Sequence, residues 1–195
     1  MAAYAKKYGA LGLLNTNWGD WGNPASIEMA SYGLVLGAEK SWSADTEIND
    51  DFYTAVNTLL YGNPNGMKYL RAISDAHNGV RWNMTFKSAY LRRAGQAYDP
   101  TILGDDLRKA QKTYRELYSA IEAEEWHDDF KDEMLLALEG VCLVAELAVK
   151  VAGFEVERLT DTKKFLAKYR EKWLEKNKPS EVSRIENIFL YCDSL

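Results

Sequence analysis

Trp18 and Asp20 stand two positions apart in a stretch rich in Gly and Asn, Asn17 to Ala25. A short apolar run, Leu11 to Thr16, leads into them. Where strand geometry persists past the end of such a run, residues two apart point the same way. An indole presents a broad apolar face on which the C–H face of a pyranose can lie. A carboxylate beside it accepts charge-assisted hydrogen bonds from two hydroxyls. Wall and clamp together suit a sugar pocket. The competing reading is a polar turn in which Trp18 and Trp21 fill a hydrophobic seam. A three-residue Trp-Gly-Asp pattern does not separate the two.

The remaining reactive side chains form no tighter constellation. His77 and His127 are the only histidines. Neither has a partner at nucleophile–base or metal spacing, so both read as surface or packing residues. Cys142 and Cys192 have no second Cys or His at ligand spacing. They read as reduced core thiols, which suits a cytoplasmic protein, and no metal or cofactor is expected. No phosphate-cradling glycine loop and no Gly-x-Ser-x-Gly elbow occurs. Asp132-Glu133 falls inside a long predicted helix and reads as solvated helix surface. Glu124-Glu125 and Asp128-Asp129 read as helix-end charges.

The elements that must position Trp18 and Asp20 come next. Leu11 to Thr16 fits a strand buried on both faces, as in a parallel sheet. Ser26 can cap a helix from Ile27 to Ser41 that is apolar nearly all round and therefore needs two partners. Gly33 and Gly37 allow close approach to it. Strand, polar mouth and covering helix make one βα unit of a barrel, whose strand ends face the mouth. One βα unit cannot make a sheet.

Everything else has a helical period. Residues 3 to 8 end a helix at Gly9, and Ile48 to Tyr61 stops at a breaker cluster, residues 62 to 66. Met67 to His77 and Trp82 to Ala94 follow. Asp99-Pro100 and Gly104 mark a loop. Asp105 to Glu125 puts Leu107, Ala110, Tyr114, Leu117 and Ile121 on one stripe. Asp128 to Ala152 is the most apolar segment and belongs at the centre of a bundle. Thr162 to Lys176 aligns Phe165, Tyr169 and Trp173, Pro179 interrupts, and Ser180 caps a last helix.

Size and charge narrow the function. A chain of 195 residues buries enough surface to fold without disulfide or metal. Its net charge of -5, with acids and bases interspersed, argues against a nucleic-acid partner. No apolar run is long enough to span a bilayer, so no membrane partner is expected, and the first residues lack a signal-peptide core.

The sequence from Ala10 to Gly22, followed by a small-residue helix ending Gly37-Ala-Glu-Lys-Ser-Trp42, resembles the last strand and helix of family 20 glycoside hydrolases. These are exo-acting β-N-acetylhexosaminidases with a (β/α)8 barrel. The resemblance is specific over residues 9 to 42. Tyr169 to Ser180 looks like the helical C-terminal domain of a bacterial branch of the family. The resemblance implies a mainly α chain: residues 1–43 as a barrel fragment, one residual βα unit of a (β/α)8 barrel, and residues 44–195 as an all-helical domain. Trp18 would line the pocket of the terminal N-acetylhexosamine. Asp20 would hydrogen-bond that sugar's outer hydroxyls, where the family more often carries Glu, one methylene longer. Trp21 matches no position of the pattern. The family's catalytic Asp-Glu pair follows an earlier barrel strand, and Asp132-Glu133 lacks that context, so no catalytic residue is expected in this chain.

The resemblance implies glycans ending in N-acetylhexosamine as the parent enzyme's substrate. An orphaned barrel strand exposes its backbone edges and apolar faces, so residues 1–42 are expected to be either disordered-prone or buried in a self-association contact when the piece stands alone. Two other readings remain open. One is a stand-alone helical interaction module without catalysis. The other is a small-molecule pocket walled by Trp82, Trp126 and Trp173.

Overall fold

The computed structural model describes residues 1–17, 25–77, 100–127 and 130–195, and their regular structure is helical. Helix α1 spans Ala2–Lys7 and stops before Gly9, whose φ of +68° suits only a residue without a β-carbon. Helix α2 covers Ile27–Trp42. Helix α3, Asp50–Ala55, starts at Asn49, whose side chain accepts the Phe52 N–H at 3.1 Å. It runs on as a π-helical turn, Val56–Tyr61. Helix α4 is Gly66–His77.

Helix α5, Pro100–Ala123, corrects one expectation. Pro100 and Gly104 do not make a loop. The proline takes the first helical position, where a missing N–H costs nothing. A single interior glycine, worth about 1 kcal/mol, is outweighed by the apolar stripe that follows it. Helix α6 is Phe130–Val151. Helix α7, Thr162–Lys176, starts and ends where period and breakers place it, with Asp161 accepting the Lys164 N–H at 2.9 Å. Helix α8 is Val182–Ser194, and its N-cap is Glu181 rather than Ser180.

Helix α6 is the axis of the bundle and touches α2, α4, α5, α7 and α8. Its second half packs Leu143 and Leu147 against Phe165 of α7 and Ile185 and Phe189 of α8. Its first half packs Met134 and Leu138 against Tyr61, Ile73 and Ile121. Among the described residues, no helix is long and apolar enough to cross a membrane.

Inside this apolar packing sits one fully buried acid, Glu146. It accepts the Leu159 N–H at 2.7 Å, Gln111 Nε2 at 3.0 Å and the Thr160 hydroxyl, and pairs with Arg158 at 3.4 Å. Arg158 also reaches Asp193 and the Thr162 hydroxyl. Lys150 pairs with Asp193 at 3.1 Å. This network ties α6 to α5, to the segment before α7 and to the end of α8. Burial works against the charge of Asp193, but hydrogen bonds from Lys150 and Thr162 and the charge of Arg158 outweigh it and hold its carboxyl below the ordinary range.

A second polar junction closes the π-helical turn. Gly62 has φ +62°, and a β-carbon there would lie 2.2 Å from His127 Cδ2. The His127 backbone N–H donates to the Tyr61 carbonyl at 2.8 Å. Buried Asn63 donates to Glu124 at 2.7 Å and to the Glu125 carbonyl at 2.9 Å, and the Tyr69 hydroxyl donates to Glu124 at 2.7 Å. Gly62→Ala is expected to cost about 1–3 kcal/mol, because it adds left-handed strain and pushes on His127. Urea unfolding followed by far-UV circular dichroism reads this loss, and an unchanged midpoint would contradict it.

The strand expected over Leu11 to Thr16 does not appear. Residues 11–17 have no regular structure, and Leu11 and Leu14 stand in solvent. A strand exists only through its ladder, and the described residues provide no second one. Asn15 anchors the segment instead. Its side-chain amide donates to the Gly33 carbonyl at 2.9 Å, and a β-carbon on Gly37 would lie 1.9 Å from that nitrogen. The bare backbone of α2 is therefore what admits Asn15. Among the described residues, helix α2 packs on the bundle along one face, where two covered faces were expected. Met29, Tyr32 and Val35 pack on the bundle, while Ile27, Leu34 and Trp42 are exposed.

Candidate functional site

Phe165, Tyr169 and Trp173 recur every four residues along α7, so they share one face of that helix. That face borders a cavity of about 590 Å³ between the start of α2, α4, α6 and α7. Leu70 and Ile73 of α4 and Leu136, Ala137 and Val141 of α6 supply the opposite walls. Buried Val144 and Phe189 line its deep part.

Charged groups gather at one side. Lys176 donates to Glu28 at 2.7 Å and to Glu133 at 3.0 Å, which joins the first turn of α2 to α6 and α7. Burial opposes the Lys176 charge, but the hydrogen bonds to Glu28 and Glu133 outweigh it and hold its ammonium above the ordinary range. Lys172 pairs with Asp132 at 3.0 Å and Glu175 at 3.2 Å. The expectation of a solvated Asp132-Glu133 pair thus holds only for Asp132. Glu133 is 3% exposed, because α6 is covered on the side that faces Lys176. The two acids turn to different lysines.

Burial, then the nearby Glu133 charge, pushes the Tyr169 hydroxyl up, and that buried hydroxyl has no hydrogen-bond partner among the described residues. The Tyr69 hydroxyl, outside the cavity, is pushed up to about 12 by burial and by its bond to Glu124. Burial works against the Glu124 charge in turn, but the donors Tyr69, Asn63 and Asn65 outweigh it and hold the carboxyl below its ordinary value.

Trp18, Asp20 and Trp21 lie outside the described residues, as do Trp82 and the pair Asp128-Asp129. Their described chain neighbours Asn17 and Ala25 both line the cavity. Of the three-tryptophan reading, Trp173 lines the cavity, and Trp126 is not among the residues that line it. Trp126 packs on Tyr61 and Tyr69 and donates to the Ile121 carbonyl at 3.1 Å. Trp173 belongs to the other cluster and donates to the Lys178 carbonyl at 2.8 Å. The two indoles thus pack in different core clusters.

His77 ends α4, and His127 covers Gly62. Both cysteines are buried and free. Burial and the Glu146 charge push the Cys142 thiol far up, and its S–H donates to Glu146 at 3.5 Å. Burial and Asp193 raise the Cys192 thiol to about 11. Neither offers a thiolate at neutral pH.

Glu146 and Lys176 carry structural chemistry that no sequence motif marks, and Glu133 carries it in place of the expected solvated surface. A signal existed for Glu146, which interrupts the apolar run Val144-Ala145-Glu146-Leu147-Ala148. An acid in such a run is either on an exposed stripe or fully paired. No family model, characterised protein or solved structure matches the chain.

Proposed function

We propose that this chain is the C-terminal part of a family 20 β-N-acetylhexosaminidase. Residues 1–43 contribute the last strand and helix of its (β/α)8 barrel, and residues 44–195 form a helical structural domain. Trp18 stacks under the terminal N-acetylglucosamine or N-acetylgalactosamine, and Asp20 accepts hydrogen bonds from its outer hydroxyls. The preceding barrel supplies the Asp-Glu pair. Its Glu protonates the leaving oxygen while the substrate's own acetamide attacks the anomeric carbon with retention.

One observation supports this reading above others. The apolar segment next to Trp18-Gly-Asp20 has no core among the described residues, and the outer face of α2 keeps Ile27, Leu34 and Trp42 in water. Those are the faces that neighbouring barrel strands and helices cover in a complete barrel. A stand-alone helical interaction module is the second reading, favoured by two core clusters that draw nothing from residues 1–17.

The purified chain is expected to release no nitrophenol from p-nitrophenyl N-acetyl-β-glucosaminide. Turnover above the buffer rate, abolished by heat denaturation, would contradict the assignment of the catalytic pair to the missing barrel.

A further inference from the structure

We infer that the cavity beside α7 binds an uncharged aromatic molecule that carries a hydrogen-bond acceptor. This does not rest on the hexosaminidase reading. The volume, about 590 Å³, lies within the range of pockets that enclose a small organic ligand. Three aromatic rings spaced along α7 line it, with Phe189 behind them. Ring faces and edges favour a flat π partner over a flexible chain. Phe165 and Phe189 already meet at 5.3 Å between centroids, and Tyr169 and Trp173 at 5.9 Å, so the wall is preorganised.

Charge excludes an ionic ligand. Lys176 is shared by Glu28 and Glu133, and Lys172 by Asp132 and Glu175. An incoming anion would have to displace a carboxylate, and an incoming cation a lysine. A neutral molecule meets neither cost. The acceptor requirement comes from Tyr169. It is 5% exposed, it lines the cavity, and its buried hydroxyl is a donor without a partner among the described residues. Such a group costs about 1–3 kcal/mol until an acceptor reaches it. A carbonyl or ether oxygen on the ligand would answer it after a small shift of the ring.

The test uses the full chain and N-phenylnaphthylamine, a neutral dye that brightens in apolar surroundings. Saturable one-to-one enhancement is expected. Methyl naphthyl ketone should displace the dye at about three- to tenfold lower concentration than isopropylnaphthalene, its near-isostere without an acceptor, which is the ratio for one net hydrogen bond. Tyr169→Phe should make the two competitors equal while dye affinity stays. Ala137→Phe, which puts a ring into the cavity, should abolish enhancement with far-UV circular dichroism unchanged. Should Ala137→Phe unfold, the competitor ratio in Tyr169→Phe decides. Leu11→Asp with Leu14→Asp controls for dye on the exposed apolar segment and should leave enhancement unchanged. No saturable enhancement, or equal competitors in the unaltered chain, would overturn the site. So would an enhancement that survives in folded Ala137→Phe or is lost in the Leu11→Asp, Leu14→Asp variant.

Discussion

Glu146→Ala is expected to lower folding stability by about 3–5 kcal/mol, the usual loss when one partner of a buried charge pair is removed. The carboxylate is fully buried and receives the Leu159 N–H, Gln111, the Thr160 hydroxyl and Arg158. Alanine leaves these donors facing a void. Arg158 keeps Asp193, so part of its charge stays compensated, and the loss should sit nearer the lower figure if Asp193 can follow it. Glu146→Gln keeps the shape and one acceptor oxygen and should cost less. Combining Glu146→Ala with Arg158→Met should recover part of the loss, because removing both partners strands fewer groups than removing one. Urea midpoints at constant m-value measure all three. A loss under about 1 kcal/mol for Glu146→Ala would mean that the network is solvated rather than buried.

The second large effect is functional and follows from the hexosaminidase reading, in the longer polypeptide which that reading proposes. There Trp18→Ala should lower kcat/KM toward p-nitrophenyl N-acetyl-β-glucosaminide by about thirtyfold or more. Truncating a buried aromatic anchor commonly costs at least about 2 kcal/mol of binding. Asp20→Asn should lower it by about tenfold or more, since it removes charge-assisted bonds worth about 1.5–3 kcal/mol. If the two residues only hold the sugar, the loss appears in KM with kcat little changed. Trp18→Phe keeps a smaller stacking face and should fall between. Equal activity in all variants would place both residues outside the pocket and return Trp18 to the hydrophobic-seam reading.

Helix positions were legible because they depend on local signals. The period of Phe165, Tyr169 and Trp173, the Asp161 cap and the break before Pro179 together mark α7 to the residue. The extent of α2 follows from its apolar run. Features that depend on distant partners were not legible. Leu11 to Thr16 has the composition of a buried strand, yet a strand needs a neighbour that this stretch cannot supply itself. Pro100 and Gly104 look like breakers, but a proline at the first helical position starts a helix. Glu133 and Glu146 look like ordinary helix acids until α7 and the segment before it fold over them. The candidate cavity was half visible. Its aromatic wall lies in the α7 stripe, whereas the space in front of that wall exists only because α2, α4 and α6 converge there.

The hexosaminidase reading predicts what the natural polypeptide is. An antiserum raised against residues 44–195 can be used to precipitate that polypeptide from its source cells, and the precipitate assayed with a fluorogenic N-acetyl-β-glucosaminide. The expected result is a chain far longer than 195 residues, with hexosaminidase activity retained on the beads. A precipitated chain no longer than these 195 residues, without activity, would contradict it.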